Sequence, residues 1–263
     1  MTELNAICSG EGFFVGPLPR ILAHRGLAME APENTLLAFL SALAIGVTYL
    51  ETDVHASADG VAMISHDADL ARSAGLAARI DELDLAELQS VDLGHGQTYP
   101  SLEEALLAFP EARFNVDLKS DAVVAPAVKA ILAAGATGRV LVTSFDNARR
   151  VRAVRALPGV ATSASALPFA GALFAVKLGL VPIARRFLRE VKAVQVPERL
   201  RGVQVITSRT VRLLKSAGVE VHVWTVNEPG DMRRLLDLGV DGLVTDRADL
   251  ALAVVKARAS DSA

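Results

Sequence analysis

A junction recurs along the chain in which a helical apolar run ends in glycine and a β-branched or small residue then leads into a strand. It reads LSALAIGVTYLETDV, AILAAGATGRVLVTSF, RLLKSAGVEVHVWTV and RLLDLGVDGLVTD. Glycine adopts the left-handed conformation that closes a helix, and the Val/Ile/Leu run after it suits a strand buried on both faces. Repeated helix-then-strand alternation builds a parallel α/β sheet. Eight candidate strands follow, at 21–25, 49–54, 113–119, 139–145, 159–165, 193–197, 219–226 and 241–246. With 263 residues and 51% of them hydrophobic, these units predict an α/β protein made of a single (β/α)8 barrel.

Two segments break the alternation. VAMISH at 61–66 follows Ala58-Asp59-Gly60 too closely for a crossover helix, so it reads as an extra antiparallel hairpin strand after strand two. Residues 67–112, with the helix-like DLAELQSV and SLEEALLAF and the turn GHGQ, read as an insertion over the barrel mouth before strand three. Residues 1–20 read as an N-terminal extension and 21–263 as the barrel domain. The lone Cys8 cannot form an internal disulfide and reads as a bystander thiol. No basic stretch followed by an apolar run opens the chain, so neither a signal peptide nor a span is expected there, and cytoplasmic residence is the default.

A net charge of −3 and a pI near 6.0 leave no broad attraction for nucleic acid, so any phosphate must be recognised locally. LPFAGALFAVKLGLVPIA at 167–184 is strongly apolar, but Lys177 and the prolines at its ends favour a barrel helix over a membrane span. Arg185, Arg186, Arg189 and Lys192 follow it. They read first as a solvated face, with peripheral contact to anionic lipid as the alternative.

Polar residues at the C-terminal ends of barrel strands are the candidates for chemistry. Strand one ends in His24-Arg25-Gly26, an imidazole that moves protons near neutral pH and a guanidinium that forks onto phosphate or carboxylate. A structural His–Arg pair is the bland alternative. On strand two, alternation puts Glu51, Asp53 and His55 on one face, successive residues ~6.5 Å apart. Two carboxylates so placed, with no Lys or Arg beside them in the strand, point to a divalent cation over a salt-bridged pair. If Asp59-Gly60 forms a two-residue turn, counting outward sets His66 opposite Asp53, and a three-residue turn slips that register by one. Asn115, Asp117 and Lys119 share a face of strand three. Asp117 can complete an oxygen cage, and Lys119 can neutralise a phosphate oxygen or form a Schiff base with a carbonyl.

Pro32-Glu33-Asn34-Thr35 opens the first helix and reads as its N-cap. Trp224 lies near a strand end, suited to a ligand's carbon skeleton or to plain core. His222 lies deeper and reads as a satisfied core histidine, His95 sits between glycines with no fixed neighbour, and His55 lies toward the hairpin tip.

Taken together and in this order, HRG, PENT, ExDVH, the DG turn, HD, NVDLK, WTVN and GLVTD resemble the glycerophosphodiester phosphodiesterase family over about residues 21 to 250. The resemblance implies a TIM barrel that hydrolyses small-molecule glycerophosphodiesters to an alcohol and glycerol 3-phosphate. His24 and His66 would be general acid and base, and Glu51 and Asp53 would hold a calcium or magnesium ion. Arg25 and Lys119 would contact phosphate, Trp224 would lie against glycerol, and Glu33 would belong with the substrate-binding residues. The family more often has Glu in the position of Asp117, whose side chain reaches one C–C bond less far. The implied mechanism is attack on phosphorus by the neighbouring glycerol hydroxyl, giving a cyclic phosphate that water opens. Competing readings are a related phosphodiesterase of lysophospholipids or phosphoinositides, a non-catalytic ligand-binding barrel and a Schiff-base aldolase at Lys119. Intact His24, His66, Glu51 and Asp53 weigh against the non-catalytic barrel.

Overall fold

The structure, a computed structural model, describes residues 11–200 and 202–261, and Cys8 lies outside them. Its strands are β1 (Arg20–His24), β2 (Tyr49–Ala56), β3 (Ala62–Ile64), β4 (Arg113–Leu118), β5 (Val140–Thr143), β6 (Ala161–Thr162), β7 (Ala193–Pro197), β8 (Arg199–Leu200), β9 (Val203–Gln204), β10 (Glu220–Trp224) and β11 (Gly242–Thr245). Eight of them pair in parallel in the order β6-β5-β4-β2-β1-β11-β10-β7, matching the eight predicted strands. The remaining seam, β6 to β7, is held by one parallel bridge, Ser163 to Ala193. There the Ala164 amide donates to the Ala193 carbonyl and the Lys192 amide to the Thr162 carbonyl. The result is an α/β barrel whose strand backbones satisfy one another around the ring.

Helices α1 (Glu11–Phe14), α2 (Leu36–Ala44), α3 (Ala71–Ala74), α4 (Leu85–Ser90), α5 (Leu102–Ala108), α6 (Val124–Ala133), α7 (Asn147–Ala156), α8 (Ala166–Lys177), α9 (Val181–Leu188), α10 (Ser208–Ser216), α11 (Pro229–Asp237) and α12 (Ala248–Asp261) account for the rest. Most apolar side chains pack between helices and the outside of the strands. A second, smaller cluster of Phe13, Leu22, Tyr49, Leu141, Ala161 and Val244 fills the barrel's lower interior. Phe13 comes from α1, so part of the stretch read as an extension closes the barrel floor, its ring edge-on to Tyr49. Alternation along β2 then sets Tyr49 at the floor and Glu51 and Asp53 above it, which is how an apolar plug and a polar mouth share one strand.

Three expectations need correction. The insertion ends earlier than residue 112, because α5 is the crossover helix before β4, capped by the Ser101 hydroxyl, which accepts from the Glu104 amide. The residues before it, with Met63 of β3, form their own apolar cluster of Met63, Leu70, Ile80, Leu88 and Tyr99. The apolar run at 167–184 is two helices, broken where Gly179 takes a φ of +77° and Pro182 sits in the first turn of α9. No described helix is long and apolar enough to cross a membrane.

The hairpin register is also slipped by one. Val54, His55 and Ala56 pair with Ile64, Met63 and Ala62, so Asp53 faces Ser65, whose amide donates to the Asp53 carbonyl. The turn has three residues because Ser57 and Val61 pair across it, with Gly60 left-handed at φ +78°. The Ser57 hydroxyl holds that geometry, donating to Asp59 and accepting from the Val61 amide at 2.9 Å.

The floor is pinned by Arg20, which donates to Glu220 at 2.7 and 2.8 Å and to the Tyr49 hydroxyl. Burial opposes ionisation of Glu220, but hydrogen bonds from Arg20 and His222 prevail and hold its pKa at about 2. A carboxylate with a depressed pKa stabilises the fold above its ordinary value of 4.5 and loses that contribution as pH falls toward about 2. Glu220→Gln is therefore expected to cost about 3 kcal/mol at neutral pH. The deficit against wild type, followed by denaturant titration, should narrow through that acid window, and a pH-independent deficit would refute the ionic account.

Candidate active site

The strand ends of β1, β2 and β4 bring the predicted residues to one cavity of about 560 Å³, lined by His24, Arg25, Glu51, Asp53, His66, Asp117, Lys119 and Trp224 among others. Glu33 is not on that wall. Its carboxylate accepts from Arg25 at 2.9 Å and Arg72 at 2.7 Å, so it holds Arg25 from behind. Register explains the convergence, since His24 pairs beside Glu51 and Asp53 beside Asp117.

Arg25 reaches inward because the chain turns sharply at Arg25-Gly26, with φ of +57° and +87°. A Cβ at Gly26 would lie 2.7 Å from the Ala38 backbone, so only glycine lets α2 close on this turn. Asn34, also left-handed, ties α2's entry to β2 by donating to Asp53 at 3.4 Å and accepting from the Thr52 hydroxyl at 2.8 Å. Thr35 is the N-cap of α2, as the sequence indicated.

Three buried carboxylates meet two cations here. Lys119 Nζ lies 2.7 Å from Asp53 and 2.8 Å from Asp117, and Arg25 Nε lies 3.3 Å from the other Asp53 oxygen. The expectation that no cation offsets the β2 carboxylates holds only within that strand, because these two arrive from β1 and the end of β4. Glu51 receives neither as a direct partner. Burial, with Asp53 and Asp117 nearby, pushes its pKa well above the ordinary value. Burial also raises Asp117, more than Lys119 lowers it, and leaves Asp117 Oδ1 without a hydrogen-bond partner. Burial disfavours the charged Lys119, but the attraction of Asp117 and Asp53 outweighs it and raises the pKa. A lysine so held is protonated, which disfavours Schiff-base chemistry.

The two histidines share a device. His24 Nδ1 lies 2.6 Å from Asp246 and His66 Nδ1 lies 2.7 Å from Asp67. The hydrogen bond to His24 pulls the Asp246 pKa down, and Asp67 is lowered by His66 and Arg72 against burial. Ionised carboxylates accept, so each ring carries its proton on Nδ1 and turns Nε2 to the cavity. Asp246 is fixed by Asn227, which donates to it at 2.7 Å and accepts from its backbone amide. Asp246, Asn227 and Asp67 belong to the motifs GLVTD, WTVN and HD, yet their links to the histidines were not read from sequence.

The other histidines stand apart. His222 is fully buried, paired with Gln195 at 3.4 Å and Glu220 at 3.0 Å, a satisfied core residue as expected. His55 Nε2 lies 3.2 Å from the His66 carbonyl, and burial lowers its pKa. His95 is exposed in its turn. Trp224 packs edge-on to Phe145 on the opposite, apolar wall. Among the described residues, no three His, Cys, Asp or Glu side chains are arranged as a ready metal cage.

A profile of the glycerophosphoryl diester phosphodiesterase family matches residues 24–250. A Mycobacterium tuberculosis protein named "Probable glycerophosphodiester phosphodiesterase 2" is 45% identical over 239 residues, spanning 90% of each chain. The lysophospholipase D GDPD1 of Mus musculus is 29% identical over 87% of this chain and 83% of its own length. An Oleispira antarctica phosphodiesterase, solved with the product sn-glycerol-3-phosphate, superposes with a TM-score of 0.76 at 24% identity, over 94% of this chain and 99% of that one. On the profile and the 45% relative, the chain belongs to the glycerophosphoryl diester phosphodiesterase family.

Proposed function

We propose that this chain hydrolyses glycerophosphodiesters to an alcohol and glycerol 3-phosphate, with His24 and His66 as its two proton carriers. The carrying observation is that both rings are oriented by carboxylates at Nδ1 and open onto one cavity with Arg25 and Lys119. The name of the 45% identical relative supports the substrate class. One histidine takes the proton of the attacking glycerol hydroxyl and the other protonates the leaving alcohol, which leaves a cyclic glycerol phosphate that water then opens to glycerol 3-phosphate. Arg25 and Lys119 offset charge on the phosphoryl oxygens, and Trp224 supplies an apolar surface for the glycerol. Glu33 acts through Arg25, which it holds.

Glu51, Asp53 and Asp117 fit a divalent cation of the calcium or magnesium kind. Asp117 Oδ1 is buried without a partner, and Glu51 is a buried carboxyl that accepts from the Arg25 amide at 3.2 Å but has neither Lys119 nor the Arg25 guanidinium as a direct partner. Such an ion supplies charge neutralisation at the phosphoryl group. Cytoplasmic residence is part of this reading. The apolar wall of Phe145, Phe169, Leu173 and Trp224 favours a second reading, in which the alcohol carries an acyl chain, as in a lysophospholipid.

His24→Ala and His66→Ala should each lose roughly 10² to 10⁴-fold in turnover while staying folded by circular dichroism. His55→Ala and His95→Ala should lose far less. If His66→Ala stays active while His55→Ala does not, the second role passes to His55. Asp246→Asn should lower kcat on the order of tenfold to a hundredfold with little change in KM. Exhaustive chelation should abolish release of glycerol phosphate, and activity that survives it overturns the metal assignment. Asp117→Asn should weaken calcium or magnesium binding in calorimetric titration, and an unchanged isotherm removes Asp117 from the ion's ligands.

A further inference from the structure

Between Ala166 and Glu190 the sequence places four Lys or Arg (Lys177, Arg185, Arg186 and Arg189) against one acid, Glu190, so this stretch carries +3 in a chain whose net charge is −3. It spans the α8–α9 pair. Leu167, Gly171, Phe174 and Leu178 fall at i, i+4, i+7 and i+11, one stripe of α8. A Cβ at Gly171 would lie 2.7 Å from the Phe187 ring, so glycine lets Phe187 of α9 settle into that stripe. Ile183, one turn earlier on α9, extends it. The joined stripe is solvent-exposed, with Leu167 79% and Phe174 69% accessible. Helix α8 is apolar all round, which a helix on a barrel's outside is not unless something covers it.

Cations flank the stripe. Arg185 donates to the Ser216 carbonyl and Arg189 pairs loosely with Glu190, while the side chains of Lys177 and Arg186 have no hydrogen-bond or ion-pair partner among the described residues; Lys192 lies apart, on the floor side with Phe14 and Glu220. Phe174 and Lys177 also line the cavity, whose rim continues through the exposed Phe145 and Leu200, so patch and mouth share one side of the barrel. Large apolar side chains with cations beside them match the two layers of an anionic bilayer, headgroup and acyl boundary. A nucleic acid would use the cations and leave the aliphatic stripe wet. A second copy packed patch to patch would bring like charges together.

We propose that the α8–α9 pair is a docking surface for anionic lipid bilayers and holds the cavity mouth against the membrane. The surface is independent of turnover, so binding can be read whether or not the phosphodiesterase reading stands. The test is cosedimentation of the full chain with vesicles of phosphatidylcholine alone and with phosphatidylglycerol added, at low and high salt. Wild type should bind the anionic vesicles, less at high salt, and leave phosphatidylcholine alone. Two double variants, Leu178→Asp with Ile183→Asp and Arg186→Glu with Arg189→Glu, should each lower anionic binding by about tenfold or more. Both should keep wild-type circular dichroism and turnover of a water-soluble diester. If the apolar pair misfolds, the arginine pair, fully on the surface, carries the test. No preference for anionic vesicles, or equal binding by the arginine variant, overturns the proposal. So does sedimentation velocity showing a lipid-free wild-type dimer that the variants break.

Discussion

Glu51, Asp53 and Asp117 are buried side by side at the mouth of a barrel, where among the described residues Arg25 and Lys119 are the permanent cations that reach them and His24 Nε2 lies 3.8 Å from Glu51. Like charges so close in a desolvated site cannot all ionise without compensation. The molecule divides the burden unequally. Asp53 takes both cations, Asp117 shares Lys119, and Glu51 is left as the group whose proton is hardest to remove. That residual acidity is what an incoming divalent ion would relieve. The same imbalance keeps Lys119 charged and thus an electrostatic group rather than a nucleophile.

Holding such a site open requires that the interior below it be dry and rigid. The floor cluster around Phe13 and Tyr49 excludes water from beneath, and Arg20 locks the start of β1 to β10 through Glu220. His222 fills the space between floor and mouth so fully that a Cβ at Gly242 would lie 2.7 Å from its ring. Core histidine and glycine are complementary here. The polar mouth rests on this packing, to which Val244 and Trp224 of its own lining contribute.

The eight strands were legible because buried parallel strands read as unbroken apolar runs, and the strand-end polar residues stood out against them. Side-chain parity along β2 and β4 carried Glu51, Asp53, Asp117 and Lys119 to the correct face. The hairpin register was not legible, since it turns on whether the Ser57 hydroxyl bonds Asp59 and Val61 across a three-residue turn, a choice the Asp-Gly pair alone leaves open. His66 reaches the cavity regardless, because it lies beyond the end of β3, where strand alternation no longer governs it. Asp246 escaped notice because its partner His24 is 222 residues away, and a carboxylate after a strand reads locally as a turn residue.

The insertion after β3 gains its meaning from a sequence of alternating charges. His66 meets Asp67 at 2.7 Å, Asp67 meets Arg72 at 2.5 Å, Arg72 meets Glu33 at 2.7 Å, and Glu33 meets Arg25 at 2.9 Å. Arg25 then faces Asp53, and Lys119 joins Asp53 to Asp117. The inner links are buried and strong, while Arg72 is half exposed and its pairs are screened by solvent. What fixes the outer links is the small apolar cluster of Leu70, Ile80, Leu88 and Tyr99, which anchors the segment carrying Asp67 and Arg72. The barrel alone thus positions His24 through β11, whereas His66 depends on a separate core built by the insertion. Of the two histidines proposed as proton carriers, one belongs to the fold and the other to a segment added to it, which gives the insertion a structural task at the site beyond covering the mouth.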